Sequence, residues 1–196
     1  AGSGFFDTFS TCPEEALQRQ LDLLLNCPVK LARRLYPSLE RNRGALVNVS
    51  SLAADFPLPF MSTYNTAKAG LSGFSRSLML EARACGSPVQ VLDFQPGDYH
   101  TGFNQALQAP REDAPPALRQ AWMALERNLK AGPPPEHAAR RLRFLLARGR
   151  SGQYASGGFF QARLAPLGAR LLGWNRLAPC ILRYHRIRPG EPPPEA

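Results

Sequence analysis

The sequence predicts an α/β fold, a parallel sheet flanked by helices, and three observations carry that expectation. Two short apolar and β-branched runs, "GALVNVSS" (Gly44 to Ser51) and "PVQVLDFQPG" (Pro88 to Gly97), are each bounded by turn residues. Buried parallel strands have this composition. Between them lies a proline-free stretch from about Ser62 to Ala84 with helical spacing of its apolar residues, so strand, helix and strand alternate as in βαβ units.

The remaining elements follow in order. "TCPEEALQRQLDLLLNCPVKLARRLYP" has Thr11 and Glu14 in capping-box spacing and Pro13 near the first turn, then apolar residues at helical spacing to Tyr36, which predicts a long helix. Helical patterns recur from Asp113 to Lys130 and from Pro135 to Arg148, and "SGQYASGG" reads as one more short strand. From about 159 an amphipathic segment aligns Phe160, Leu164, Leu167, Leu171, Trp174 and Ile181 on one face, with Arg163, Arg170 and Arg183 elsewhere and with interruptions at Pro166 and Pro179. Core packing or a subunit contact is its ordinary interpretation; the other is a helix lying on a membrane surface with its arginines near anionic lipid. The Pro-rich end predicts a disordered tail over 189–196, leaving 1–188 as one domain.

Composition bounds the class. At 196 residues and 44% hydrophobic, the chain suits a single packed core. Cys12, Cys27, Cys85 and Cys180 have no C-x-x-C spacing and no accompanying His pairs, which argues against a metal site or a disulfide framework and for a reducing cytoplasm. No apolar run approaches the ~18 residues of a spanning helix, and no signal peptide is visible. Residues 1–110 hold nine basic and nine acidic side chains, whereas 111–196 hold fifteen basic and six acidic, so the net charge of +9 lies in the second part. An arginine-rich helical surface accounts for this; no aromatic-interleaved basic motif or zinc-finger spacing points to a nucleic-acid partner.

Chemistry concentrates around "STYNTAKAG" (Ser62 to Gly70). Tyr64 and Lys68 are four residues apart and share a helix face, a spacing that by itself decides nothing. Ser51 stands thirteen residues before Tyr64, at the end of a strand, and "PGDYHT" (Pro96 to Thr101) follows the next strand. Together these elements resemble the short-chain dehydrogenase/reductase family. The resemblance runs from Ala1 to about Gly158 and implies a Rossmann-like, doubly wound sheet. It makes Ser51, Tyr64 and Lys68 the catalytic set. It also gives Tyr64, Lys68, Pro96, Gly97 and Thr101 contacts to the nicotinamide end of NAD or NADP.

The chemistry fits those residue types. Hydride transfer between a nicotinamide and a carbonyl carbon leaves charge on oxygen, which a positioned acid must neutralise. A phenol titrates near 10, and an ammonium on the same helix face is expected to lower that value for Tyr64. Ser51 would orient the substrate oxygen.

Two departures from the family pattern qualify this reading. The Gly-rich turn that receives the pyrophosphate is absent: Gly2 and Gly4 follow no strand, and Asp7 occupies the third glycine position. Ala1 and Gly2 instead match the end of the family's N-N-A-G segment. The resemblance therefore implies a longer parent with roughly 80 or more preceding residues in βα units, and a chain that is inactive and prone to aggregate by itself. In the first helix, Leu24 stands where many members have an Asn that organises a proton path to the lysine, with Asn26 about 200° around the helix.

The reading is an NAD(P)-dependent oxidoreductase interconverting an alcohol and a ketone or aldehyde. Its substrate is expected to be a small molecule, and "DFPLPFM" and the region from Phe103 to Trp122 suit a hydrophobic one. The family's pairing helices, Pro13 to Tyr36 and Ser62 to Ala84, imply a homodimer or homotetramer for the intact enzyme. The alternative is a noncatalytic binding or scaffold protein that keeps the sheet. The choice between NAD and NADP lies outside these residues.

Overall fold

The structure, a computed structural model, describes residues 4–103, 107, 109–110 and 112–187, with the side chains of 169–170 excepted. The expectations for Ala1, Gly2, the 189–196 tail and part of the region from Phe103 to Trp122 lie outside the described residues.

A single long helix comes first, made of α1 (Glu14–Leu21), a π-helical turn (Asp22–Asn26) and α2 (Cys27–Arg41). Its start differs from the expected capping box. The Thr11 hydroxyl donates instead to the Thr8 carbonyl at 2.9 Å within a preceding 3-10 turn, and Pro13 takes the N-cap position. The helix also continues past Pro37.

β1 (Ala45–Val49), α3 (Ser62–Ala84) and β2 (Gln90–Pro96) form the first crossover unit; α4 (Pro116–Ala131) and α5 (Pro135–Ala147) lead to β3 (Gly152–Ser156). Among the described residues the sheet has the order β1-β2-β3, all parallel, with Asn48 beside Asp93 and Pro96 beside Ser156. A π-helical turn (Phe160–Leu164), α6 (Ala165–Leu171) and α7 (Trp174–Tyr184) follow. Pro166 falls where the π-helical turn passes into α6, and the helical run continues through it. Pro179 sits inside α7, and the break falls at Leu172–Gly173 instead.

The two sheet faces differ in chemistry. Leu92 and Phe94 of β2 meet Leu145 of α5, with Val47, Leu142 and Tyr154 around them. On the opposite face α3 buries Tyr64, Ala67, Lys68, Leu71, Ser72 and Ser75, the i, i+3, i+4, i+7 stripe of one helix face. There the contacts with the sheet are polar. Asp93, fully buried, accepts from the Ser72 hydroxyl at 2.6 Å and from the Ser50 hydroxyl, and the Asn48 amide donates to Ser75 Oγ at 2.9 Å. Buried polar groups of this kind must be paired, so the pairing fixes where α3 sits along the strands.

The π turn packs against α3 opposite Gly70, where a Cβ would stand 3.0 Å from Leu25 Cδ2. Glycine at that position permits the two helices to approach. Leu24 enters the main core with Phe6, Met61, Tyr64, Ala67 and Leu118. No described helix is long and apolar enough to cross a membrane.

Candidate active site

Parallel strands point their carboxyl ends to one edge of the sheet, and ligands of open α/β folds bind there. Ser51 lies immediately beyond β1. Its backbone is extended, and its hydroxyl caps the short 3-10 turn Leu52–Ala54 by accepting from the Ala53 N–H at 3.0 Å. The same oxygen lies 3.4 Å from the Pro96 carbonyl at the end of β2. The loop from 55 to 61 is pinned to α3 by Asn65, which accepts from the Leu58 N–H at 3.1 Å and donates to the Leu58 carbonyl at 2.8 Å. That double bond sets the start of α3 and hence the direction of Tyr64.

Tyr64 is buried against Phe103, with ring centroids 5.9 Å apart. Lys68, one turn on, donates from Nζ to the Val49 carbonyl at 2.8 Å, and its ammonium lies 5.7 Å from the Tyr64 ring centroid. The structure thus brings Ser51, Tyr64 and Lys68 together at the end of β1. Burial raises the Tyr64 phenol above its ordinary value; the Ser51 hydroxyl beside it acts the other way, and Asp98 adds to the rise. This differs from the lowering expected from Lys68. The ammonium is drawn to a backbone carbonyl and sits over the ring, so its field does not outweigh desolvation. Burial also brings Lys68 down to about 8, against the opposing pull of Asp93.

A cavity of about 630 Å³ opens in front of Ser51 and Tyr64. Its walls are mainly apolar, including Phe56, Leu58, Leu129, Leu142, Leu164 and Ile181. Pro96, Gly97 and Thr101 line it as well. Gly97 donates its N–H to the Ser156 carbonyl at 2.7 Å, and a Cβ there would stand 2.5 Å from Gln161 Oε1, so a side chain at this position would displace the Gln161 amide. Thr101 is exposed at the rim, its hydroxyl 3.4 Å from the Phe103 N–H.

Sequence reasoning missed a second polar group in this cavity. Gln161, beyond β3, grips Asp98: its Oε1 accepts from the Asp98 N–H at 3.0 Å while its Nε2 donates to Asp98 Oδ2 at 2.5 Å. Tyr184 of α7 donates to the same carboxylate oxygen at 3.4 Å. Burial raises the Asp98 carboxyl above the usual range, with Gln161 and Tyr184 partly offsetting it. Tyr99 completes the anchoring, its hydroxyl 2.6 Å from Ser156 Oγ and 3.0 Å from His137 Nδ1. The acidic and aromatic residues inside "PGDYHT" were the available signal.

The residues present fit one end of a nicotinamide dinucleotide. An ammonium has three N–H donors, and one of those on Lys68 goes to Val49; the others suit the vicinal hydroxyls of a ribose. Gly4, by contrast, forms an isolated bridge with Leu107 and sits against Met61, an arrangement unlike a phosphate-binding turn. In the first helix Leu24 is buried, and the Asn26 amide donates to Asp22 Oδ1 at 2.7 Å.

The family model described as short chain dehydrogenase matches residues 1–112. Dehydrogenase/reductase SDR family member 4 of Bos taurus is 33% identical over 139 residues, 70% of this chain and 47% of that protein. The 3-ketodihydrosphingosine reductase of Bacteroides thetaiotaomicron is 24% identical, over 76% of this chain and 56% of the other. A short chain dehydrogenase/reductase from Burkholderia phymatum, solved in complex with NAD, superposes with a TM-score of 0.72 at 18% identity. The superposition covers 98% of this chain and 67% of that one. The chain spans about half the length of the curated relatives it matches.

Proposed function

The chain belongs to the short-chain dehydrogenase family, and on that premise we propose that it is the catalytic portion of an NAD(P)-dependent oxidoreductase interconverting an alcohol and a ketone or aldehyde. The observation that carries the proposal is the grouping of Ser51, Tyr64 and Lys68 at the end of β1, with Ser51 and Tyr64 lining an apolar cavity.

When bound, the coenzyme supplies or accepts the hydride. Lys68 would hold the ribose hydroxyls beside the nicotinamide, and Pro96, Gly97 and Thr101 would flank that ring. Ser51 would donate a hydrogen bond to the substrate oxygen and hold it next to the Tyr64 hydroxyl. In reduction the phenol gives its proton to that oxygen; in oxidation the phenolate takes the alcohol proton. The raised phenol favours the protonated, reducing form at neutral pH. The apolar walls suit a substrate with a hydrocarbon body, in keeping with the 3-ketodihydrosphingosine reductase among its relatives. The exposed Leu23, Leu31 and Leu35 of the first helix and Leu80 of α3 support a homodimer or homotetramer, and the free cysteines favour a reducing compartment such as the cytoplasm.

A noncatalytic binding role is the second reading, favoured by the burial of Leu24 and the turning of Asn26 toward Asp22. The test is turnover of aliphatic ketones with NADH and NADPH by the wild type and by Tyr64→Phe. Turnover that falls by about 100-fold or more in the variant supports the enzyme. Coenzyme binding without turnover in the wild type assigns the binding role instead.

A further inference from the structure

The helices that close the cavity are apolar on two sides. Phe160, Leu164, Gly168, Leu172 and Ile181 line the cavity. Phe159, Leu167, Leu171 and Trp174 take no part in that lining and are 75%, 56%, 75% and 59% exposed. Leu167 and Leu171 stand one turn apart on α6 and share its outward face, and Trp174 opens α7 just beyond the break at Leu172–Gly173. A surface helix of a water-soluble domain normally turns polar side chains outward, and contiguous exposed apolar residues mark an interaction surface.

Charge identifies the partner. Between Glu136 and Glu191 the sequence contains eleven arginines and no Asp or Glu. Arg163, exposed, lies between Phe159 and Leu167 at four-residue spacing, and Arg176 follows Trp174. Exposed Leu, Phe and Trp with the exposed Arg163 and Arg176 among them and no acidic residue in the segment are the composition of a helix lying in a lipid interface, with apolar side chains among the acyl chains and guanidinium groups at the phosphates.

We propose that the segment from Phe159 to Trp174 docks this protein on a phospholipid surface bearing anionic headgroups. The docked helix is also the cavity wall, so a hydrophobic substrate dissolved in the lipid would reach the pocket beside α6 without crossing bulk water. The docking itself does not depend on the proposed chemistry.

The test is co-sedimentation of the protein with phosphatidylcholine vesicles, with and without about one third phosphatidylglycerol. Binding is expected only to the anionic vesicles, falling several-fold at high salt, and roughly ten-fold or more in the double variant Leu167→Glu, Leu171→Glu. Neither residue lines the cavity. A second readout does not depend on that variant folding: in a Trp122→Phe background, Trp174 emission should shift to the blue on anionic vesicles. Equal sedimentation with both vesicle types, undiminished binding by a folded double variant, or unshifted Trp174 emission would overturn the proposal. So would conversion of a wild-type dimer to monomer by the double variant without any vesicle binding by the wild type, which assigns the outward face to a second copy.

Discussion

The Lys68 ammonium donates to the Val49 carbonyl at 2.8 Å, across the joint between α3 and the end of β1. The bond ties a buried charge to a backbone dipole, yet burial still brings the lysine down to about 8. Between about pH 8 and 10.5 the unfolded chain therefore holds a proton that the folded chain has released, and stability rises with pH across that window. The shift corresponds to about 3 kcal/mol against the charged form at neutral pH. Urea unfolding of the wild type should show a higher midpoint at pH 10 than at pH 8, and Lys68→Met should abolish that rise. A midpoint that stays level in the wild type would contradict the burial of this charge.

Ser51 opposes the burial that raises Tyr64. Ser51→Ala should move the alkaline-rising limb of the oxidation rate to higher pH, because the phenolate loses a hydrogen-bond donor. Turnover should fall by about 10²- to 10⁴-fold. The measurement is a pH profile of kcat; a slower variant with an unmoved limb would leave Ser51 without influence on the phenol.

Asp98 is the carboxyl in an otherwise mainly apolar chamber. Asp98→Leu should lower KM for purely aliphatic ketones and raise it for ketones with a nearby hydroxyl or amine, by about ten-fold each way for one buried polar contact. Parallel changes in KM for both substrate types would argue against a contact between Asp98 and substrate.

His185 at the end of α7 is buried, and burial together with the Arg127 charge lowers it to about 4. The unfolded chain takes up this proton near pH 6.5, before the folded chain does, so stability is lost on acidification between about 6.5 and 4. From pH 7 to 5 the loss is about 2 kcal/mol. His185→Gln should remove that part of the pH dependence in chemical denaturation, and an unchanged slope would show that His185 titrates normally.

The grip of Gln161 on the loop after β2 is best tested by Gln161→Leu, which removes both hydrogen bonds to Asp98. A cost of about 1–3 kcal/mol is expected from the orphaned buried groups, read as a lower thermal midpoint. Rescue of most of that loss by Gln161→Glu would contradict the pairing, since it sets a second carboxylate against Asp98.

Much of the fold was legible because its signals are local. The α3 bounds follow from a proline-free run ended by Gly86, and Tyr64, Ala67, Lys68, Leu71, Ser72 and Ser75 fall on one face through helical period alone. The strands announced themselves as short apolar runs between turn residues. The N-terminal cap was misread because Thr11 had a nearer partner in Thr8, a competition that spacing cannot resolve. The π turn at Asp22–Asn26 was likewise invisible, since its apolar residues fit an ordinary helix.

What the sequence determined by itself was the order and type of the elements and the spacing of Ser51, Tyr64 and Lys68, all properties of residues close in the chain. What only the tertiary structure decided was the company those residues keep. Gln161 meets Asp98 across 63 positions and Tyr184 meets it across 86, because the parallel register sets Pro96 beside Ser156 and turns both following loops over the same edge. The direction of the Tyr64 shift was decided in the same way. Helical spacing put an ammonium near the phenol, but packing buried the phenol and gave that ammonium to Val49, and desolvation outweighed the charge.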